Sequence, residues 1–226
     1  MSARLVAGVL LAGAMLARGA SADEQVPRWS IELGGGAHFL TDPADSFATG
    51  SGVIGVGDLR LGYTPGWLHD RLELEFAFAG GAVGSSAFQS YDTEVQRHSF
   101  ELGARYRFPI GRHFNFFARG AFLVNVDGLS LDSEANTAVK LGQFVATAGL
   151  ELAVGAEWLI VARPRFGFGI QVEGGYSVDF TRAQFSHVTA TGTNEAGTTP
   201  LSDPGIDAGA INMSGPDFRV GVAFHF

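Results

Sequence analysis

In the stretch LELEFAF, Leu72, Leu74, Phe76 and Phe78 alternate with Glu73, Glu75 and Ala77. The same period of two runs through FELGARYRF, where Phe100, Leu102, Ala104, Tyr106 and Phe108 alternate with Glu101, Gly103, Arg105 and Arg107. It persists through FGFGIQVEGGYSVDF, from Phe166 to Phe180. Successive side chains of a strand point to opposite faces, so each stretch reads as a strand with one apolar and one polar side. No other feature of the chain limits its fold so tightly.

Eight such segments can be traced, at about 28–40, 51–64, 71–84, 97–109, 113–127, 142–159, 164–181 and 210–226. The connections after the second, fourth and sixth are short (PGWLHD, IGR, VARP). Those after the first, third, fifth and seventh read as long and rich in Gly, Ser, Thr and Asp. Tight turns at one end, long loops at the other and an even strand number describe an outer-membrane barrel. Alternation alone also fits a soluble lipocalin-type barrel or a β-sandwich with the apolar face turned inward. The aromatic residues argue for lipid outside. Trp29, Tyr63, Trp67, Tyr106, Phe108, Phe114, Phe116, Trp158, Phe166, Phe224 and Phe226 fall near the short-turn end. Phe39, Phe78, Phe100, Phe144, Phe180 and Phe218 fall near the other. Two aromatic girdles suit the two lipid–water interfaces. The fold class expected is therefore all-β, an eight-stranded antiparallel up-and-down transmembrane β-barrel.

The first 22 residues read as a secretory signal peptide, with Arg4, an apolar run from Leu5 to Leu16 and Ala20-Ser21-Ala22 ahead of Asp23. The run is too short to span a bilayer as a helix, and Arg18 interrupts it. The barrel domain is thus expected over 23–226. Removing Arg4 and Arg18 with the leader takes the formal charge from −8 to −10, which argues against nucleic acid as a partner. An exported chain with no cysteine cannot rely on disulfides.

Eight strands leave an interior just wide enough for side chains to fill. By parity it holds Glu32, Asp58, Glu73, Glu75, Glu101, Glu151, Glu157, Glu173, Asp179 and Asp217, together with Arg60, Arg71, Arg105, Arg107, Arg119, Arg165 and Arg219. Isolated charges there would be costly, so a paired lumen charge network is expected. Arginine's planar fork suits it, and the chain has a single lysine, Lys140. Inward glycines such as Gly34, Gly62, Gly103 and Gly155 are expected to make room for the arginines. A closed ionic plug and a narrow or gated conduit are both compatible with such an interior.

Catalytic signals are thin. The mature histidines, His38, His69, His98, His113, His187 and His225, show no metal-ligand spacing, so neither a metal nor any other cofactor is expected. His225 should sit inward at the periplasmic rim as a hydrogen-bonding residue. The one arrangement resembling a triad is His187, Thr189 and Glu195, comparable in part to the His-x-Ser pair of eight-stranded lipid A deacylases. Threonine stands in place of that serine and the acid comes only six residues after it, so no enzyme is expected, with a lipid A-modifying activity as the alternative. The loops carry Asp42, Asp45, Asp92, Glu94, Asp132, Glu134, Glu195, Asp203 and Asp207, able to bridge lipopolysaccharide phosphates through Ca²⁺ or Mg²⁺. Strands of the last long loop, residues 183–208, could also rise above the membrane and offer a backbone edge to an extracellular ligand.

The terminal stretch RVGVAFHF carries Arg219, Gly221, Phe224 and Phe226 in the polar-x-Gly-x-x-aromatic-x-aromatic pattern. With it the chain resembles the small eight-stranded outer-membrane proteins of the OmpA transmembrane-domain and OmpX type, over essentially the whole mature length. The resemblance implies that these four residues form the signal read by the barrel assembly machinery, after periplasmic chaperones have delivered the chain. It also implies a Gram-negative outer-membrane location among lipid and lipopolysaccharide. Members of the class are structural proteins, adhesins, complement-evasion factors or occasional lipid enzymes, and a structural or adhesion-like role is expected here. No peptidoglycan-binding domain follows the barrel segment in this sequence.

Overall fold

The computed structural model describes residues 27–41, 52–66, 71–87, 91–133, 139–186, 189–194, 197–200 and 209–226. Twelve strands lie among them: β1 (Trp29–Phe39), β2 (Val53–Tyr63), β3 (Leu72–Ala87), β4 (Tyr91–Ile110), β5 (Phe114–Ser133), β6 (Val139–Arg163), β7 (Phe166–Asp179), β8 (Ala183–Phe185), β9 (Thr189–Asn194), β10 (Gly197–Pro200), β11 (Gly209–Ile211) and β12 (Gly215–His225). Strands β1 to β6 each pair antiparallel with the next, β7 pairs with β12, and β12 returns to β1. The ring is a closed eight-stranded up-and-down barrel.

Closure brings β1 and β12 very close, in a register from Ser30↔His225 to His38↔Asp217. A Cβ at Gly36 would lie 1.9 Å from the Phe218 carbonyl oxygen, so glycine is required at that point of the seam. Gly111 supplies the positive φ (77°) that the tight β4–β5 turn needs.

Sidedness is decided by exposure. Leu152 is 72% exposed and Val154 67%, whereas Arg105 is 0% and Glu101 1%. A water-soluble barrel would have the opposite polarity, because charged groups are almost never fully buried unless paired. The apolar outer wall is therefore the surface that lipid would cover.

The strands depart from the sequence reading at the long-loop end. β3 and β4 remain paired out to Ala87↔Tyr91, so only residues 88–90 join them, and only residues 134–138 join β5 to β6. These connections are short, and what reads as loop is mostly strand. Beyond the lipid both faces of a strand are wetted, so the alternation fades while the backbone ladder continues. The last connection is folded in part. β9 adds to β6 and β10 to β9, while β8 and β11 form a separate two-stranded ribbon.

Candidate functional site

The barrel interior is built from inward side chains of all eight wall strands, and it is layered. At the short-turn mouth, Glu157 lies 2.5 Å from His225 Nε2 and accepts a 3.2 Å hydrogen bond from Asn115. Glu73 accepts from Ser30 Oγ and from Arg107 Nη2, the latter at 2.7 Å. One layer deeper, Arg105 donates to Glu32 through both terminal nitrogens, and its Nε lies 2.7 Å from Glu75. Its guanidinium sits 4.4 Å over the centroid of the Phe117 ring, a cation–π contact in a desolvated place.

The middle layer is the densest. Arg60 grips Glu173 through two parallel bonds of 2.9 and 2.8 Å, the fork-on-carboxylate geometry that guanidinium favours. Arg119 bonds Glu75 at 2.7 Å and also Glu101 and Glu151. Arg219 reaches Glu151 at 2.7 Å and Glu101 at 3.4 Å. Asp58 and Asp217 stand at the edge, 3.5 and 3.7 Å from Arg60 and Arg219.

Toward the other end a second network has Arg97 at its centre. Arg97 bonds Asp127 at 2.7 and 3.1 Å and Asp179 at 2.5 Å. Asn125 and Thr147 complete the two aspartates. A space of about 30 Å³, lined in part by Arg97, Glu151 and Arg219, lies between the two networks.

Above Arg97 the interior turns apolar. Ala183 and Phe185 of β8, Ile211 of β11 and Met213 pack against Ile54, Val95 and Leu129 of the wall. Phe185, Ile211 and Met213 are 1–2% exposed. The segment is also bolted by hydrogen bonds. The Met213 carbonyl lies 2.8 Å from His38 Nε2 and accepts from Arg97 Nη1 at 3.1 Å, and the Ser214 hydroxyl accepts from the Asp179 amide at 2.9 Å. The two ends of the last connection, β8 and β11 with Met213, thus dip into the barrel mouth like a stopper.

Every proposed member of the charge network from Glu32 to Arg219 lies inside the barrel, but two arginines that parity places there do not. Arg71 and Arg165 are exposed, because each flanks a turn where the strand alternation has ended. The inward glycines chiefly accommodate acids and a ring rather than arginines. A Cβ at Gly62 would lie 2.1 Å from Glu73 Oε1, and one at Gly155 2.3 Å from Phe117 Cζ. Sequence reasoning missed Arg97, Asp127 and Asn125, and gave Gln171, on the polar face of its strand, no part in the network. Arg97 and Asp127 are the end residues of the segments 97–109 and 113–127, and the strand parity that holds at Glu101 and Arg119 already points them inward. The stopper has no periodic signature.

Among the interface aromatics, Trp29, Tyr106, Phe108 and Trp158 project from the outer wall, with Trp29 and Tyr63 rings 4.8 Å apart. Trp67 lies outside the described residues, as do His187, Glu195 and the acids Asp42, Asp45, Glu134, Asp203 and Asp207. Of the terminal pattern, Arg219 enters the lumen network, Gly221 pairs with Gly34, and the Phe224 ring lies 5.1 Å from that of Phe168. The Phe226 amide and carbonyl exchange 2.9 Å bonds with Trp29.

Two solved structures place this architecture in a class. The chain is similar to neisserial surface protein A (12% identity, 88% of this chain and 96% of that one, TM-score 0.52). It is also similar to a major outer membrane protein from Thermus thermophilus (14% identity, 88% and 99% coverage, TM-score 0.53). At such identities the likeness concerns the fold. A comparison with protein-family models gives no match, and neither does one with curated protein sequences. The chain has the fold of the small eight-stranded outer-membrane β-barrels.

Proposed function

We propose that this protein is exported with loss of residues 1–22 and inserts in the outer membrane of a Gram-negative bacterium. The short turns face the periplasm, and the barrel is a closed, non-catalytic anchor for a surface platform. The observation that carries this reading is the length of β3 to β6. A tilted strand spans the bilayer in about 9–11 residues, whereas β4 and β5 have 20 each and β6 has 25. The excess in β4 and β5 amounts to roughly 30 Å along each strand. β9 and β10 widen the emergent sheet. Its free edges, among the described residues, are β10 and the part of β3 beyond Ala82, the last residue paired to β2. Such edges offer backbone donors and acceptors to a partner, which supports a surface-interaction or adhesion-like role.

Closure of the lumen is supported by the salt-bridged network and the apolar stopper acting in series. Planar-bilayer recordings should therefore show no steps above baseline, and regular steps would refute closure. Outer-membrane lipid and lipopolysaccharide would surround the wall at the two aromatic belts. Arg219, Gly221, Phe224 and Phe226 would serve as the assembly signal for periplasmic chaperones and the assembly machinery.

The platform can be tested without disturbing the stopper. Phe185 faces Gly209 across the β8–β11 ladder, so residues 187–208 can be replaced by a short Asn-Gly turn. Binding to a panel of extracellular proteins and glycans should be lost, with the barrel's heat-modifiable gel migration unchanged. Retained binding would place the interaction elsewhere.

A further inference from the structure

The short-turn end of the barrel carries a charge opposite to that of the chain. The protein has a formal charge of −8, yet Arg28, Arg71, Arg112, Arg163 and Arg165 are all exposed at this end. No exposed Asp or Glu side chain accompanies them among the described residues. At this end the lumen opens into a cavity of about 580 Å³. Arg107, Arg112 and Arg163 line it, together with apolar surface from Pro27, Leu159 and Pro164. The carboxylate in its wall, Glu157, is already engaged by His225 and Asn115 and is 1% exposed. Arg107 gives one terminal nitrogen to Glu73 and leaves its buried Nε without a hydrogen-bond partner.

We propose that this mouth is a binding site for a polyanionic ligand of peptide size, held by oxyanion groups on Arg107, Arg112 and Arg163 with its apolar portion on the proline and leucine walls. The volume is that of ordinary small-molecule sites. Guanidinium forks match carboxylates and phosphates alike, and the surrounding arginines would raise the local concentration of such a ligand. Only the compartment that supplies it, the periplasm, rests on the membrane orientation proposed above.

The test is a titration of the purified protein in neutral detergent with fluorescein-labelled tetraglutamate, and in parallel with inorganic pyrophosphate. The two arms distinguish carboxylate from phosphate as the preferred oxyanion. Saturable binding of either probe is expected. It should weaken by about tenfold or more in the R112E/R163E double variant and as salt rises from about 50 to about 500 mM. It should change less than about twofold in R71E and R165E, whose charges lie at the same end but do not line the cavity. Arg112 lies in the β4–β5 turn and Arg163 is the last residue of β6, both exposed, and heat-modifiable migration reports folding in the same samples. No saturable binding of either probe would overturn the proposal, and so would equal losses in R71E, R165E and R112E/R163E. Orientation is read separately. An R112C variant of this cysteine-free chain should react with a membrane-impermeant maleimide only once the outer membrane is opened. Labelling in intact cells would overturn the orientation and leave the binding site standing.

Discussion

Replacing Arg60 by methionine should show how the lumen holds its charges. The guanidinium and its partner carboxylate, Glu173, have side chains 2% and 1% exposed, joined by bonds of 2.9 and 2.8 Å. Removing one member of a buried pair typically costs about 3–5 kcal/mol, because the remaining charge keeps its desolvation penalty without its partner. Glu173 would still have Arg119 and Arg219 at 3.7 Å, so the lower end, about 3 kcal/mol, is expected. That is roughly a hundredfold in the folding constant. Replacing both members, R60M/E173L, should recover most of the loss, since a buried pair exchanged for apolar groups of similar volume is often nearly neutral. Glu32 and Asp58, 3.7 and 3.5 Å from Arg60, lose a neighbour in either variant and set a residual cost. Urea titration in lipid vesicles, followed by tryptophan fluorescence and completed as a double-mutant cycle with E173L, gives the coupling. A loss under about 1 kcal/mol for R60M, or a double variant as costly as the two singles together, would refute the reasoning.

Three further outcomes follow from the same geometry. A cysteine at Leu129, beneath the stopper, should react slowly with an aqueous maleimide and about tenfold faster or more when F185D forces a carboxylate into the apolar cluster; fast labelling without F185D would show that the stopper is not seated. Removing Phe226 deletes three backbone bonds to Arg28 and Trp29, of 3.1, 2.9 and 2.9 Å, worth about 1 kcal/mol each. In cells its assembly should fall further than in vesicle refolding, and equal losses would mean that the residue only closes the barrel. If the stopper and the ionic layers are both weakened, as in F185D/R97M, any conductance gained should favour cations. The described lumen has eleven carboxylates, from Glu32 to Asp217, against six guanidiniums, and anion preference in reversal potentials would contradict that charge count.

Much of the barrel was legible because each residue of a spanning strand meets one of two environments, lipid or lumen. Glu73, Glu75, Glu101 and Arg105 sit where their parity puts them, buried at 0–3% exposure. Parity fails where only one environment exists. Beyond the lipid, polar residues occupy both faces, so the upper reaches of β3 to β6 read as loops. At the turns, Arg71 and Arg165 continue a pattern whose strand has already ended.

The sequence by itself determined the fold class, the number of wall strands, their inward and outward faces, and the use of arginine rather than lysine against buried acids. Those are consequences of local geometry and of the cost of an unpaired charge, and both can be read along a single strand. Only the tertiary structure decided which arginine meets which acid, because partners such as Arg60 and Glu173 lie 113 positions apart and meet through barrel closure. It alone brought Phe185 and Met213 onto Ile54, Val95 and Leu129. It alone gathered Arg107, Arg112 and Arg163 at one mouth. Those contacts depend on where a ring of strands closes, and no period along the chain encodes that distance.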